Sequence, residues 1–283
     1  MRTISTTLTL FALMISSMLM AQDFTGIATY KTQRKVDIQL DSTVSDAMQE
    51  QIQAMLKKQF QQEYTLEFNK NEGIYKRVEK LEQDNTISGG GMQIVVAGAG
   101  NNNVRYTNLS ENRMAYQNEI FGKIFLIKDT LQNRKWTLTK ETKNIGEYAC
   151  FKATFEGTRQ VSNLTMGDEE EESEEEPTTV EEPYTLTVWY TPQIPVGLGP
   201  DNYNGLPGLI LEASDGEETI LCSKVVLNPK DGVKLDEPDN GKVVTNAEFR
   251  EIMDEKMKEM NEQFQSDGRR RSGQRGMQIR IGG

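Results

Sequence analysis

No histidine occurs anywhere in this 283-residue chain, and that absence bounds its chemistry before any motif is read. Ser-His-Asp and Cys-His nucleophile systems are excluded by composition, together with the usual zinc sites. The proton-transfer candidates left are carboxylates. Asp129, Glu141 and Glu147 surround the middle strands, but no spacing sets two of them at the separation glycoside cleavage needs. Glu169 to Glu176 offer oxygen ligands for loosely held Ca²⁺, without the glycine-turned spacing of a dedicated loop. A solvated acidic loop accounts for them better. Met253, Met257 and Met260 share one helical face, and soft thioethers suit Cu(I). Phe249 and Phe264 beside them fit core packing better. With no P-loop or dinucleotide fingerprint, the chain is expected to be non-enzymatic, with no cofactor and no metal.

Cys150 and Cys222 are the only thiols. In an exported protein they are a candidate disulfide closing a long loop, worth about 4 kcal/mol in the chain-entropy model. Both lie in apolar strand-like runs, so two buried free thiols are the alternative. Export itself is read from the N-terminus. Met1-Arg2 is a short basic region, Ile4 to Met20 is largely apolar, and Ala21 suits a cleavage site. Residues 1–21 are therefore expected to be a signal peptide, giving a periplasmic or secreted protein. No later segment is long and apolar enough for a transmembrane helix.

The formal charge of −11 is local. Residues 168–182 hold ten carboxylates and no basic side chain, so the remaining surface is nearly balanced. Without a basic stripe, nucleic-acid binding is not expected. Composition predicts disorder for this acidic insert, residues 167–183, and for a Gly/Asn-rich insert at 88–103. A basic tail, 267–283, carries Arg269, Arg270, Arg271, Arg275 and Arg280 and is expected to be mobile.

Residues 22–266 between these features read as one β-rich domain. Alternation predicts strands at 25–30, 64–68, 73–78, 104–108, 113–118, 123–127, 135–142, 148–156, 184–191, 209–213 and 219–227. Asn69 to Glu72 has the composition of a hairpin loop. Strands this closely spaced imply an antiparallel meander. Two helices interrupt it. Val44, Met48, Ile52, Met55, Leu56 and Phe60 mark the first, and the second follows a capping box at Thr245-Asn246-Ala247-Glu248.

The most specific local pattern follows the strand Thr187-Val188-Trp189-Tyr190-Thr191. Pro192, Pro195, Pro200 and Pro207 each fix φ and remove a backbone donor, so no regular element runs through 192–207. The stretch reads as a rigid corner ending in Gly205-Leu206-Pro207-Gly208-Leu209-Ile210 and clamping a strand edge.

That hexapeptide in its Pro/Gly context resembles the GLPGLI family, exported proteins of Bacteroidota whose biochemical role is not established. Gly26-x-x-x-Tyr30, Tyr64-x-Leu66-x-Phe68, Phe125 to Asp129, Trp136-x-Leu138, Tyr148 to Thr154 and Trp189 to Pro192 resemble it too. The expected fold is mainly β with two or more helices: a curved antiparallel meander or open barrel, similar to periplasmic lipoprotein carriers. The expected function is an envelope protein that binds an apolar ligand or lipid in the concavity, with Tyr75, Phe125, Trp136 and Trp189 as lining. A protein-interaction accessory of an outer-membrane complex is the alternative, and Met-rich copper binding the third reading.

Overall fold

The computed structural model describes residues 24–34, 61–78, 86–89, 92–95, 103–120, 122–162 and 179–268. The first half of the described chain forms β1 (Gly26–Arg34), β2 (Glu63–Phe68), β3 (Glu72–Arg77), β4 (Thr86–Gly89), β5 (Met92–Val95), β6 (Val104–Asn108), β7 (Arg113–Ile120) and β8 (Lys123–Thr130). The second half forms β9 (Thr137–Ile145), β10 (Tyr148–Ser162), β11 (Thr179–Thr191), β12 (Leu209–Ser214), β13 (Glu218–Leu227), β14 (Lys242–Val244) and the helix α1 (Asn246–Gly268).

Twelve strands join one open sheet in the order β14-β8-β7-β6-β3-β2-β1-β13-β12-β11-β10-β9, and β4 pairs only with β5. The single meander expected from strand spacing is in fact two. One runs from β1 outward to β8 and the other from β9 inward to β13. They meet where β1 pairs antiparallel with β13, Gly26 opposite Leu227 and Arg34 opposite Glu218. β14 adds the parallel step, Val244 opposite Ile127, so the sheet is mixed.

Local sequence explains the elements. In β1, Gly26, Ala28, Tyr30 and Thr32 alternate inward as the pleat requires. The β2–β3 hairpin turns on Asn69, whose Oδ1 accepts the Asn71 and Glu72 amides at 2.8 and 2.7 Å; a side chain that mimics a backbone turn is why Asn suits this place. The capping box forms: Thr245 Oγ1 accepts the Glu248 amide at 3.2 Å, and Glu248 Oε2 accepts the Thr245 amide at 2.7 Å. Asp129 Oδ2 accepts the Asn246 amide, and Phe249 meets Phe125 edge-on at 5.5 Å. The helix is thereby seated on β8.

Some expectations change and others fall outside the described residues. Among the described residues α1 is the one helix; the earlier stripe, 44–60, lies outside them, as do residues 1–21 and 269–283. β4 and β5 enter the insert expected to be disordered at 88–103, and β11 begins at Thr179, inside the acidic insert. A run of glycines or glutamates lowers strand propensity, but cross-strand pairing over twelve positions between β10 and β11 outweighs it.

Both faces of the sheet are used. On one, Ile74, Tyr106, Ala115 and Leu126 pack with Leu235 from the β13–β14 connection, and Glu237 in that connection pairs with Arg113 and Lys128 at 2.6 and 3.0 Å. On the other face lies the corner between β11 and β12. Its Ile194, Val196 and Leu198 are buried with Tyr30, Leu66, Phe68, Tyr75 and Leu211.

Candidate functional site

The corner is built before anything it positions. Its backbone closes on itself: the Gly205 amide donates to Gly197 O at 2.9 Å, Leu209 to Ile194 O at 2.9 Å and Ile210 to Leu198 O at 3.0 Å. Four side chains then tie it to the sheet and to the β8–β9 connection. Tyr30 Oη donates to Ile210 O at 2.8 Å, and Trp136 Nε1 to Asn204 O at 2.9 Å. Arg134 grips Asn202 twice, at 2.7 Å on the carbonyl and 2.8 Å on Oδ1. Gln193 Oε1 accepts the Ala149 amide at 2.9 Å. Gly205 takes φ +90, a conformation costly for any residue with a Cβ. Leu206, Leu209 and Ile210 are buried, while Gly205 and Pro207 remain exposed.

The packing of the corner on the sheet alters the expected lining. Tyr75 belongs to the corner's own core cluster, Phe125 packs on Phe249, and Trp136 holds the corner. Trp189 lies under Lys143, whose Nζ is 4.4 Å from the ring centroid and 2.7 Å from Glu212 Oε2. The four aromatic side chains are therefore spread over three packing clusters, Tyr75 with Trp189 in one and Trp136 and Phe125 in two others.

Beside the corner the same face becomes polar. Register sets Tyr75, Arg105 and Tyr116 side by side on β3, β6 and β7, and Tyr64 opposite Arg77 on β2 and β3. Tyr64 and Tyr75 stack at 4.8 Å with 7° between planes. The Arg105 guanidinium lies 4.1 Å over the Tyr116 ring. Asp201, held at φ +52 in the corner turn, brings Oδ1 to 3.2 Å from Arg105 Nε. That Nε is buried yet not aligned to donate, and Arg34 Nε is buried without a partner as well. Glu218, opposite Arg34, has its carboxyl pushed up, first by burial, with Asp201 and Asp215 adding to the rise and Arg34 opposing it. Burial likewise raises Tyr64, Tyr75 and Tyr203 and lifts Tyr116 to about 12. These phenols are neutral donors across the physiological range.

The band can therefore offer guanidinium N–H groups, phenolic O–H groups, two carboxylates and stacked ring faces in a half-desolvated setting. Sequence reasoning found only Tyr75 of it. The usable signal was phase: Tyr64 is in step with the buried Leu66 and Phe68, so the face that carries the core also carries Arg77 and Arg105.

The carboxylate candidates do not converge. β8, with Asp129, and β9, with Glu141, lie toward opposite ends of the sheet. Asp129 is held below the usual carboxylate range by the Thr130 and Asn246 amides, and Glu141 pairs with Lys152 at 2.9 Å. Glu147 is exposed in the β9–β10 turn. Among the described residues no three His, Cys, Asp or Glu side chains form a metal-ligand group. On α1, Met253 is half-buried, whereas the side chains of Met257, Met260 and Phe264 lie outside the described set.

Cys150 and Cys222 are both free. β11 and β12 separate the strands that carry them, and each thiol turns instead to a backbone carbonyl, Cys150 Sγ to Tyr148 O at 3.5 Å and Cys222 Sγ to Lys224 O at 3.4 Å. In this structure both are buried, unbonded thiols of one core cluster. Burial raises the pKa of both and pushes Cys222 up to about 11, so at pH 8 almost no thiolate is present. Native protein treated with Ellman's reagent at pH 8 is expected to react very slowly, and to release two equivalents in denaturant. A disulfide would leave the denatured chain unreactive too.

No curated protein sequence matches this chain. Two crystal forms of PNGF-II, in space groups C2 and P21, are similar in structure at 15% and 16% identity, each with a TM-score of 0.46. The alignments cover 81% and 80% of this chain and 32% of the other, so the chain spans about a third of the length of those structures. Residues 136–212, from Trp136 through β9, β10, β11 and the corner into β12, match the model of Porph_ging, a family described as proteins of unknown function.

Proposed function

We propose that this chain is an exported, non-enzymatic GLPGLI-type protein of the cell envelope that holds a ligand on the sheet face beside its corner, against the arginine–tyrosine band. The observation that carries the reading is the buried Arg34 Nε, which has no hydrogen-bond acceptor although Arg34 lies opposite Glu218 in the ladder. Native proteins rarely leave such groups unsatisfied without a reason, and an absent ligand is one. The expected apolar or lipid ligand has less support. Ile194, Val196 and Leu198 already occupy the apolar part of that face, which leaves the polar band as the place for a guest. The hexapeptide supports the family assignment, and the lack of histidine together with carboxylate candidates that do not converge supports a binding role.

Native mass spectrometry of the protein purified from an envelope extract tests this. A small-molecule adduct is expected on the wild type and is lost in Tyr116→Ala. A second reading, an interaction accessory of an envelope complex, is favoured by the outer strands, where Leu138 on β9 and Val243 on β14 are 58% and 62% exposed. A clean apo mass, together with a partner crosslinked through β9, would replace the first reading with the second.

A further inference from the structure

Resting on the reading above, we infer that the band selects a small organic carboxylate that also carries a hydrogen-bond donor, a hydroxyl or an ammonium, a few atoms away.

The anion half of the argument comes from Arg34 and Arg105. Arg134 and Arg159 are engaged: the first by Asn202 and Gln132, the second by Glu217 at 2.5 Å and Asp215 at 3.5 Å. Arg105 is paired on its Nε side alone, where Asp201 Oδ1 lies at 3.2 Å outside hydrogen-bond alignment. Its ring contact with Tyr116 and its NH1 contact with Met114 Sδ at 3.5 Å leave a planar fork with weak acceptors. Arg34 lies opposite Glu218 in the ladder, yet no ion pair within 4 Å joins them among the described residues, and its Nε is buried and unpartnered. A guanidinium fork in this state matches the two oxygens of a carboxylate or a phosphate.

Asp201 and Glu218 decide between those two. Both carboxylates influence the same tyrosines, Tyr64, Tyr75 and Tyr203, so they share the band with the arginines. A phosphate dianion would bring two charges beside the carboxylates that neighbour each arginine, Asp201 at Arg105 and Glu218 opposite Arg34, where a carboxylate brings one. A single carboxylate is balanced by the arginines, while Asp201 and Glu218 accept from a donor on the same molecule. The stacked Tyr64–Tyr75 pair and the Tyr116 ring supply flat apolar surface for a sugar's C–H face or an aromatic side chain. Sugar acids and amino acids both present this chemistry.

Calorimetry on the full mature chain separates them, using D-galacturonate against D-galactose and L-phenylalanine against L-phenylalaninamide. In at least one pair the carboxylate member is expected to bind at least tenfold more tightly than its neutral or cationic analogue. Arg105→Gln and, independently, Arg34→Gln should each remove that preference, and Arg105→Lys should not restore it. Thermal melts identify any variant that fails to fold, and Arg34, at a strand end, provides the test if Arg105 is needed for folding. Preference within the galacturonate pair alone assigns a sugar acid, and within the phenylalanine pair alone an amino acid. Equal binding within both pairs, insensitive to either arginine, would overturn the carboxylate inference and leave the ligand-binding reading standing. No binding by any of the four probes would overturn the inference, and a native mass spectrum without adduct would separately remove the reading beneath it.

Discussion

Gly208→Ala is expected to destabilise the protein by about 3 kcal/mol or more, a large fraction of the about 5–15 kcal/mol that holds a typical domain folded. A Cβ at this position would stand 2.2 Å from Thr191 O and 2.5 Å from Thr191 C. The obstacle is backbone, and it cannot step aside: Thr191 is fully buried, paired with Leu209 across the ladder, and its carbonyl accepts the Ile194 amide. The neighbouring Pro207 is exposed, and Pro207→Ala should change stability by less than about 1 kcal/mol. Urea unfolding of the two variants side by side measures the difference. Coincident midpoints would show that the second glycine of the hexapeptide is not there for this close approach.

Arg134→Ala should cost about 3 kcal/mol, because it withdraws a buried charged donor from Asn202 O, Asn202 Oδ1 and Gln132 Oε1 together. The effect is specific to the guanidinium. Lysine offers one point of charge where the fork spans two acceptors, so Arg134→Lys should recover little. Trp136 provides the readout, since its indole is bonded to Asn204 O in the same corner. Its emission should shift to the red as the corner loosens, at denaturant concentrations where the sheet still gives a native circular dichroism signal. An unchanged emission maximum would mean that the corner is held by its apolar side chains alone.

How much of this was readable beforehand depends on the range over which each feature is encoded. β1 shows its inward set by simple alternation, the Asn69 turn and the Thr245–Glu248 cap are four-residue patterns, and each forms where its residues indicate. β9 shows the limit of that logic. It is largely exposed along its length, so the sequence carries little apolar alternation there, and its bounds move from 135–142 to 137–145. The pairing of β1 with β13 has no local signature at all, because a strand's own periodicity says which side is buried and nothing about which neighbour it finds. The arginine–tyrosine band is hidden for the same reason. It draws on β1, β2, β3, β6, β7, β13 and the corner, and each contributing side chain is unremarkable in its own segment. Aromatic type alone misdirected the lining: Phe125, Trp136 and Trp189 are large and suited to a pocket, but each already has a nearer neighbour to cover.

The seam between β1 and β13 has a bearing on how the molecule is made. β1, the first of the described strands, is flanked in the finished sheet by β2 on one side and by β13, which follows most of the described chain, on the other. Until that late segment emerges, the growing chain carries a half-sheet with one bare edge running through what will become its centre. A product stopped before Glu218 therefore keeps an unclosed, aggregation-prone flank along β1.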